Sequence, residues 1–234
     1  MARNRIALDR IIMEPAKLVP VLSLLKRRAA TRRRVRAAGA SPAAPDVEMA
    51  LFFSRWLKAP HRIGALAPSS RHLARAMATQ VDLRRSEFVV ELGGGTGSVT
   101  RALLEAGIPA ERLVVVERDE QLYKLLRRRF PQLRVVQGDA RHLVDLLRPL
   151  GIDAVSSVVS SLPLVSMPKR MRRQIIDQSF ALLGEAGRFI QFTYSLTSPL
   201  AARELGLRGR VAARVWLNFP PASVWNYRLL PAAA

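Results

Sequence analysis

Residues 89 to 97 read Val-Val-Glu-Leu-Gly-Gly-Gly-Thr-Gly, a strand that passes through an acidic residue into a glycine turn. Gly93, Gly95 and Gly97 have the spacing G-x-G-x-G, whereas a turn that binds a dinucleotide pyrophosphate has G-x-G-x-x-G. The observed spacing favours S-adenosylmethionine over NAD. Glycine allows the backbone to adopt positive φ and to come close to a ligand. The alternative is a glycine-rich connection that binds nothing.

The residues beside this turn supply what such a ligand needs. Glu91 precedes the turn and offers negative charge to the amino group or the sulfonium of the cofactor. A helix predicted over 98–106 directs its free N–H groups toward the carboxylate end of the ligand. The turn, the acid and the helix therefore form one half of a predicted cofactor site.

A second acidic residue ends the next predicted strand. The apolar run at 113–117 is typical of a buried parallel strand and ends at Glu117, twenty residues after Gly97. Related folds hold the ribose hydroxyls at this place. Pairing with Arg118 or another neighbour is the alternative for Glu117.

A third predicted strand, over 133–137, leads into Gly138-Asp139-Ala140. A short acceptor at Asp139, next to Ala140, suits the amino group of adenine. Asp139 has the alternative of capping the helix that follows. In series with the glycine turn, the acidic residues at three strand ends make a nucleoside site the better interpretation.

These segments resemble a known family. The glycine turn, Glu117, Asp139 and a fourth strand that ends in Ser160-Ser-Leu-Pro-Leu164 look like a class I, Rossmann-like methyltransferase. With the flanking segments 52–60 and 64–70, they resemble the soluble bacterial phospholipid N-methyltransferases, which methylate phosphatidylethanolamine stepwise toward phosphatidylcholine. The resemblance covers residues 47 to 230. That family usually has Pro at the second position of the glycine turn, where Gly94 is expected to loosen the turn here.

The order of the predicted elements indicates an α/β fold. Strands near 88–92, 113–117, 133–137, 152–159 and 187–195 alternate with helices, which favours a parallel sheet with right-handed crossovers. Segments 210–217 and 223–230 predict a closing antiparallel hairpin. We expect a Rossmann-like methyltransferase fold, with a mostly parallel seven-stranded sheet and helices on both faces.

The loop after the fourth strand is the predicted acceptor site. Methyl transfer to nitrogen needs a lone pair, so the amine must lose a proton and lie roughly 3 Å from the methyl carbon. The positive sulfonium disfavours a second cation beside it, so no strong general base is required. Pro163 stiffens the loop so that Ser160 or Ser161 accepts hydrogen bonds from the amine. An ordinary strand exit is the alternative.

The sequence of the same loop also indicates which kind of acceptor it binds. Many N-methyltransferases carry an Asn/Asp-Pro-Pro-aromatic motif here, and the absence of the Asn and the aromatic residue argues against a stacked base. A methylated ammonium offers fewer N–H donors, so aromatic faces are expected to hold it. Tyr194, at the end of the fifth strand, and Trp56, on a predicted lid helix, are the candidates. Packing of Tyr194 under the hairpin and of Trp56 in the core is the alternative.

Composition limits the partners. The 234 residues support one sizeable domain with an extension, and a formal charge of +20 implies a polyanion, either nucleic acid or an acidic membrane surface. No cysteine is present and the three His residues are scattered, so neither disulfides nor a metal site is predicted.

The charge is concentrated at the start of the chain. Residues 1–38 contain eleven Lys or Arg against Asp9 and Glu14, mixed with apolar residues, which favours a basic interfacial arm over a bilayer span. A cleavable targeting segment is the alternative. Residues 39–46 are a linker, 47–82 are N-terminal helices and 83–234 are the catalytic core. The apolar stripe of helix 47–58 suits either a core or a lid in the headgroup layer.

Three functions follow from these patterns. The first is S-adenosylmethionine-dependent N-methylation of phosphatidylethanolamine by a cytoplasmic protein that binds the inner membrane face through its arm and helix 47–58. The second is methylation of rRNA adenine. It would call for an aromatic residue at 164 and a helical substrate domain. The sequence shows neither, so no nucleic acid partner is expected. The third is a membrane-binding module without activity.

Overall fold

The computed structural model describes residues 67–195, 197–218 and 220–230. They belong to the second of the two units, Met1–Ala43 and Ala44–Ala234, into which the chain divides. The predicted arm, linker and lid helix with Trp56 lie outside the described residues. The described helices are α1 (Ala67–Ala78), α2 (Ser98–Glu105), α3 (Glu120–Arg129), α4 (Leu143–Leu147) and α5 (Lys169–Leu183). The described strands are β1 (Phe88–Leu92), β2 (Leu113–Glu117), β3 (Arg134–Gln137), β4 (Val155–Ser160), β5 (Arg188–Thr193), β6 (Leu207–Val215) and β7 (Ala222–Leu229).

The strands form one seven-stranded sheet in the order β3-β2-β1-β4-β5-β7-β6. Strands β1 to β5 are parallel, and β7 lies antiparallel between β5 and β6. The predicted α/β fold class, with its C-terminal hairpin, is confirmed.

Helices cover both faces of the sheet because the residues of each strand alternate between two cores. Val89 and Val115 face α1, α2 and α3, whereas Val90 and Val116 face α4 and α5. Strands buried on both faces have no polar side, which explains the continuous apolar run of β2. Within the described residues, no helix has the length and apolar character needed to cross a bilayer.

The strand order reverses between β1 and β4, so the connections that leave these neighbours diverge and open a crevice. We call the side of the sheet at which β1 to β5 end the carboxyl edge. Backbone hydrogen bonds continue past the strands there, from Gly93 N to Val116 O (2.8 Å) and from Ser161 N to Leu92 O (2.9 Å). The predicted site residues therefore meet along this edge.

Two predicted strand boundaries are corrected. Strand β4 begins at Val155, because Gly151 ends the preceding turn in the left-handed region and the chain needs three more residues to reach the sheet. Strand β5 ends at Thr193, which leaves Tyr194 just beyond it.

Candidate active site

The glycine turn after β1 has the geometry that its sequence predicts. Gly93, Gly95 and Gly97 have φ values of 76°, 55° and 84°, in the left-handed region that favours glycine. A Cβ added at Gly95 would meet only the carbonyl oxygen of Gly93, 4.0 Å away. The backbone of Gly95 is therefore open to a ligand, and the turn leads directly into α2.

Gly94 has a different role from the one expected. It is not among the glycines with positive φ, and a Cβ there would lie 2.4 Å from Val115 Cγ1 and 2.8 Å from Leu126 Cδ1. The missing side chain gives β2 and α3 room to pack against the turn. Gly94 thus permits close packing in place of the Pro that the family resemblance led us to expect.

Glu91 is a fully buried carboxyl group on β1. The hydroxyl of Thr100, in the first turn of α2, donates a 2.6 Å hydrogen bond to Oε2 of Glu91. The other oxygen, Oε1, has no hydrogen-bond partner among the described residues. Burial raises the pKa of Glu91 to about 8, and the nearby Glu117 acts in the same direction. An unpaired acceptor in this position suits a cationic ligand group.

Glu117, at the end of β2, joins the first two strand ends. Its Oε2 accepts a 2.9 Å hydrogen bond from Gly95 N, and its Oε1 accepts one of 2.9 Å from Asp119 N. The alternative pairing of Glu117 with Arg118 is not found, because Arg118 lies 3.6 Å from Asp139 instead. Each carboxylate oxygen retains a lone pair for a ribose hydroxyl.

Asp139, after β3, is the residue of this set most engaged with protein groups. It caps a short 3₁₀ turn by accepting from Arg141 N (2.9 Å), and the Arg141 guanidinium donates to its Oδ2 (2.8 Å). The pairing with Arg141 lowers the pKa of Asp139 to about 2. The capping alternative is thus observed, next to a buried Ala140, and Arg141 is a neighbour that sequence reasoning missed.

The acceptor loop, residues 160–164, is held at the carboxyl edge from two sides. Ser160 is buried, and its hydroxyl accepts a 3.4 Å hydrogen bond from Leu162 N. Gln191, on β5, donates through Nε2 to Leu162 O (3.0 Å) and to Phe192 O (2.9 Å). Ser161 has a buried hydroxyl with no hydrogen-bond partner in the described chain. The Ser161 hydroxyl is therefore unused by the protein groups described, whereas the Ser160 hydroxyl already accepts from Leu162 N.

Pro163 and Leu164 complete the loop. Pro163 precedes a 3₁₀ turn at 164–166, as a residue that stiffens the chain should. Leu164 is only 1% exposed and packs into the core between the sheet and α5. The residue at 164 is therefore not aromatic, and its buried side chain is not available to stack on a base.

Tyr194 lies just after β5, close to the hairpin. Its ring meets Phe192 edge to face at 5.6 Å, and its hydroxyl shares a hydrogen bond with the Asn218 side chain. Burial raises the pKa of Tyr194 to about 12. These are the contacts expected of the packing alternative, and the proposed role of the ring toward a methylated amine stays a prediction.

Comparison with known proteins also indicates a methyltransferase. A family model described as a methyltransferase domain matches residues 89–187, from β1 to the turn before β5. An ornithine lipid N-methyltransferase from Singulisphaera acidiphila is 37% identical over 146 residues, which cover 61% of this chain and 76% of that protein. The chain belongs to the class I S-adenosylmethionine-dependent methyltransferases.

Other relatives share less with this methyltransferase. A solved 1,6-didemethyltoxoflavin-N1-methyltransferase from Burkholderia thailandensis, with S-adenosylhomocysteine bound, has a TM-score of 0.57 at 20% identity, over 82% of this chain and 93% of that one. It shares the fold. Ribosomal RNA small subunit methyltransferase A from Synechococcus sp. is 39% identical over 95 residues, which cover 38% of this chain and 29% of that protein. The methyltransferase thus spans under a third of that relative.

The methyltransferase uses S-adenosylmethionine, and its residues fit this cofactor. Oε1 of Glu91 is a buried acceptor without a partner in the described chain, and the turn at Gly95 leaves room for a ligand. Glu117 and Asp139 stand at the two neighbouring strand ends. When bound, the cofactor supplies an electrophilic methyl group. The role of each residue toward it stays a prediction.

Besides Arg141, two members of the site were missed at the sequence level. Thr100 lies nine residues after Glu91 and donates one hydrogen bond to it, and Gln191 lies 29 residues after Leu162 and donates to Leu162 O and Phe192 O. A hydroxyl in the first turn of the helix after a glycine turn is a usable signal for Thr100. Gln191 is a polar residue between apolar neighbours in the middle of β5, which is the corresponding signal there.

Proposed function

We propose that this methyltransferase methylates the primary amine of a membrane aminolipid, with phosphatidylethanolamine as acceptor and phosphatidylcholine as the product of successive steps. It would act at the cytoplasmic face of the inner membrane, where the basic arm meets acidic lipid. The acceptor loop is the observation that carries the proposal, and the ornithine lipid N-methyltransferase relative supports it.

The acceptor loop has the properties that a small amine requires. Ser161 has a hydroxyl oxygen with no partner in the described chain, which supports a role for it in accepting an N–H of the amine. Gln191 holds the loop in place through Leu162 O, so the loop does not have to become ordered when the acceptor binds. Binding of a flexible headgroup therefore has a smaller entropic cost than it would at a mobile loop.

The proton balance is also consistent with an aminolipid. An ethanolamine ammonium must release one proton to water before its lone pair can attack, and each methyl transfer to the secondary or primary amine leaves a further proton to be lost. The positive charge of the bound cofactor lowers the pKa of an ammonium beside it, so water is a sufficient proton acceptor. No catalytic base is assigned.

The rRNA alternative has weaker support. It is favoured by the relative from Synechococcus, but that match covers only 29% of the relative. Adenine acceptors are held by an aromatic ring, and position 164 is a buried leucine instead. The acceptor loop thus suits a small aliphatic amine better than a base.

Labelled cofactor tests the proposal directly. The full chain is incubated with vesicles that contain phosphatidylethanolamine, with vesicles that contain ornithine lipid, and with total RNA. We expect label in the phosphatidylethanolamine fraction, in mono-, di- and trimethylated products. Label only in ornithine lipid would replace phosphatidylethanolamine with ornithine lipid as the assigned acceptor. Label only in RNA would overturn the proposal.

A pair of serine variants then tests the loop. Ser161→Ala removes the unpaired hydroxyl, and Ser166→Ala removes an exposed hydroxyl in the turn that follows. We expect turnover to fall about tenfold in the first variant, the effect of one lost hydrogen bond in the transition state, and to stay unchanged in the second. Equal turnover of both variants would remove Ser161 from the site.

A further inference from the structure

The connection between β6 and β7 carries two large apolar side chains in water. Trp216 is 68% exposed and Leu217 is 74% exposed, more than any other large apolar side chain in the described residues. We call these two residues the hairpin tip. Single exposed apolar residues are ordinary, but an adjacent Trp and Leu at the end of a hairpin indicate a contact surface.

The hairpin tip lies at the carboxyl edge. Thr193, the last residue of β5, pairs with Ser223, and Ala222 pairs with Val215 at the end of β6. The turn that holds the tip therefore extends beyond the same edge as the acceptor loop. Strands are about 4.8 Å apart, so β4 and β6, three strand spacings from one another, place the loop and the tip roughly 14 Å apart.

Exposed basic residues follow the acceptor loop at this edge. Helix α5 starts with Lys169 and Arg170, both exposed and without an ion pair in the described part of the chain. Cations are unfavourable at a helix N-terminus, where the helix dipole is itself positive, and α5 has no acidic residue in its first turn. Arg214 adds an exposed cation next to the tip. An anionic surface facing the edge would offset this repulsion.

We propose that the hairpin tip inserts into the headgroup layer of an anionic bilayer and, with Lys169, Arg170 and Arg214 on the lipid phosphates, turns the carboxyl edge toward the membrane. This inference rests on the proposed function for its purpose, which is to let a headgroup reach the acceptor loop without leaving the bilayer. Val165, directly after the loop, is a further exposed apolar side chain.

A bilayer fits this surface better than a protein partner does. Tryptophan concentrates at membrane interfaces, where an apolar ring with one N–H donor is favourably placed. Basic side chains around an apolar tip match acidic lipid, whose surface attracts each one. A stable protein interface covers about 800 Å² on each partner, far more than two side chains provide.

A dye at a single position reads insertion locally. The chain has no cysteine, so Leu217→Cys and the control Leu230→Cys, exposed at the opposite edge, each take one nitrobenzoxadiazole label. The vesicles contain phosphatidylcholine and phosphatidylglycerol, which offer no primary amine. We expect the emission at 217 to shift to the blue and rise severalfold on vesicle addition, and the emission at 230 to stay unchanged. No shift at 217, or an equal shift at 230, would overturn the proposal.

Paired substitutions measure the contribution of the tip. Trp216→Ser with Leu217→Ser is compared with Leu83→Ser and Leu230→Ser, which remove exposed apolar side chains elsewhere. Salt of about 0.5 M shortens the Debye length to about 4 Å, which suppresses binding through the basic arm. Under these conditions the tip variant should sediment with vesicles at least tenfold more weakly, and the control variant like the unmodified chain. Equal binding of all three proteins would contradict the inference.

Two further outcomes separate the possibilities. A blue shift at 217 that depends on protein concentration, without vesicles, would assign the tip to self-association and overturn the membrane proposal. Because the vesicles hold no acceptor amine, these measurements do not require turnover. Insertion of the tip without methylation of any lipid would refute the proposed function alone, and methylation with the tip in water would refute this inference alone.

Discussion

The Glu117 carboxylate accepts a 2.9 Å hydrogen bond from the backbone N–H of Gly95. This contact joins the end of β2 to the turn after β1 before any ligand is present. The second oxygen of Glu117 accepts from the backbone N–H of Asp119, the residue that caps α3. One side chain therefore connects a strand end, a glycine turn and the start of a helix, and its role toward a ribose stays a prediction.

Substitution of Glu117 separates these roles. We expect Glu117→Ala to weaken S-adenosylmethionine by about 2 kcal/mol, roughly thirtyfold, because the ribose loses a charged acceptor and Gly95 loses its anchor. Glu117→Gln keeps one acceptor oxygen and should have an intermediate effect. Titration calorimetry gives both affinities, with Glu120→Ala on the exposed start of α3 as control. Unchanged affinity in the alanine variant would remove Glu117 from the site.

Cofactor affinity should depend on pH through Glu91. Its pKa is about 8 in the free protein, so the carboxyl is mostly neutral at neutral pH. A cationic group beside Oε1 favours the ionised form, so binding releases a proton and affinity rises with pH up to about 8, by at most about tenfold per pH unit. Calorimetry in two buffers of different ionisation enthalpy counts the protons. Glu91→Gln should lose this pH dependence, and the same slope in the variant would place the titrating group elsewhere.

The same carboxyl predicts a stability effect of opposite sense. The pKa of Glu91 is raised from 4.5 to about 8 on folding, so the native state holds the proton more tightly than the unfolded chain. Its contribution is complete below about 4.5 and declines by about 1.4 kcal/mol per pH unit as pH rises to about 8. Relative to the unmodified chain, Glu91→Gln should therefore gain stability from pH 5 to pH 8, as measured by urea unfolding. A constant difference in stability between the two proteins over this range would contradict the prediction.

Neighbouring glycines should fail in different ways. Gly94→Ala places a Cβ against Val115 and Leu126 and should cost about 1 to 3 kcal/mol of stability. Gly95→Ala has space for its Cβ but strained backbone, so it should cost about 1 kcal/mol and mainly impair cofactor binding. Thermal unfolding and calorimetry measure the two effects. Val115→Ala should rescue the first variant only; rescue of both, or of neither, would contradict the packing account.

Tyr194 is tested by acceptors that differ in methylation. We expect Tyr194→Ala to lose activity mainly on mono- and dimethylated phosphatidylethanolamine, by about two- to thirtyfold for a lost cation–π contact, and Tyr194→Phe to retain it. Initial rates on the three acceptors give the comparison. An equal loss on all three, with a lowered melting temperature, would assign Tyr194 to packing against Phe192 and the hairpin.

The fold was predictable because its signals are local. The apolar run of β2, the glycine spacing after β1 and the alternation of strands and helices each arise within a few residues, and the structure confirms them. The start of β4 and the end of β5 were less predictable, because a strand boundary depends on where the neighbouring elements begin and end. Position 94 shows the limit most clearly, since the need for glycine there depends on Val115 and Leu126, which are distant in sequence.

The site was predictable only in part, for a related reason. Glu91, Glu117 and Asp139 follow a pattern of strand ends, but their partners do not. Thr100, Arg141 and Gln191 act through side-chain hydrogen bonds that exist only once the chain has folded. The preference for Ser161 over Ser160 likewise came from which hydroxyl the loop itself consumes.

The place of β7 has a consequence for biosynthesis. Strand β6 leaves the ribosome before β7, yet β7 lies between it and β5 in the finished sheet. Until residues 222–229 emerge, the nascent chain carries an open edge on β5 and a strand with no neighbour, and exposed edges of this kind invite pairing with other chains. The last described strand therefore completes the sheet by inserting between β5 and β6. The nascent chain is most exposed to aggregation in the interval before this strand emerges.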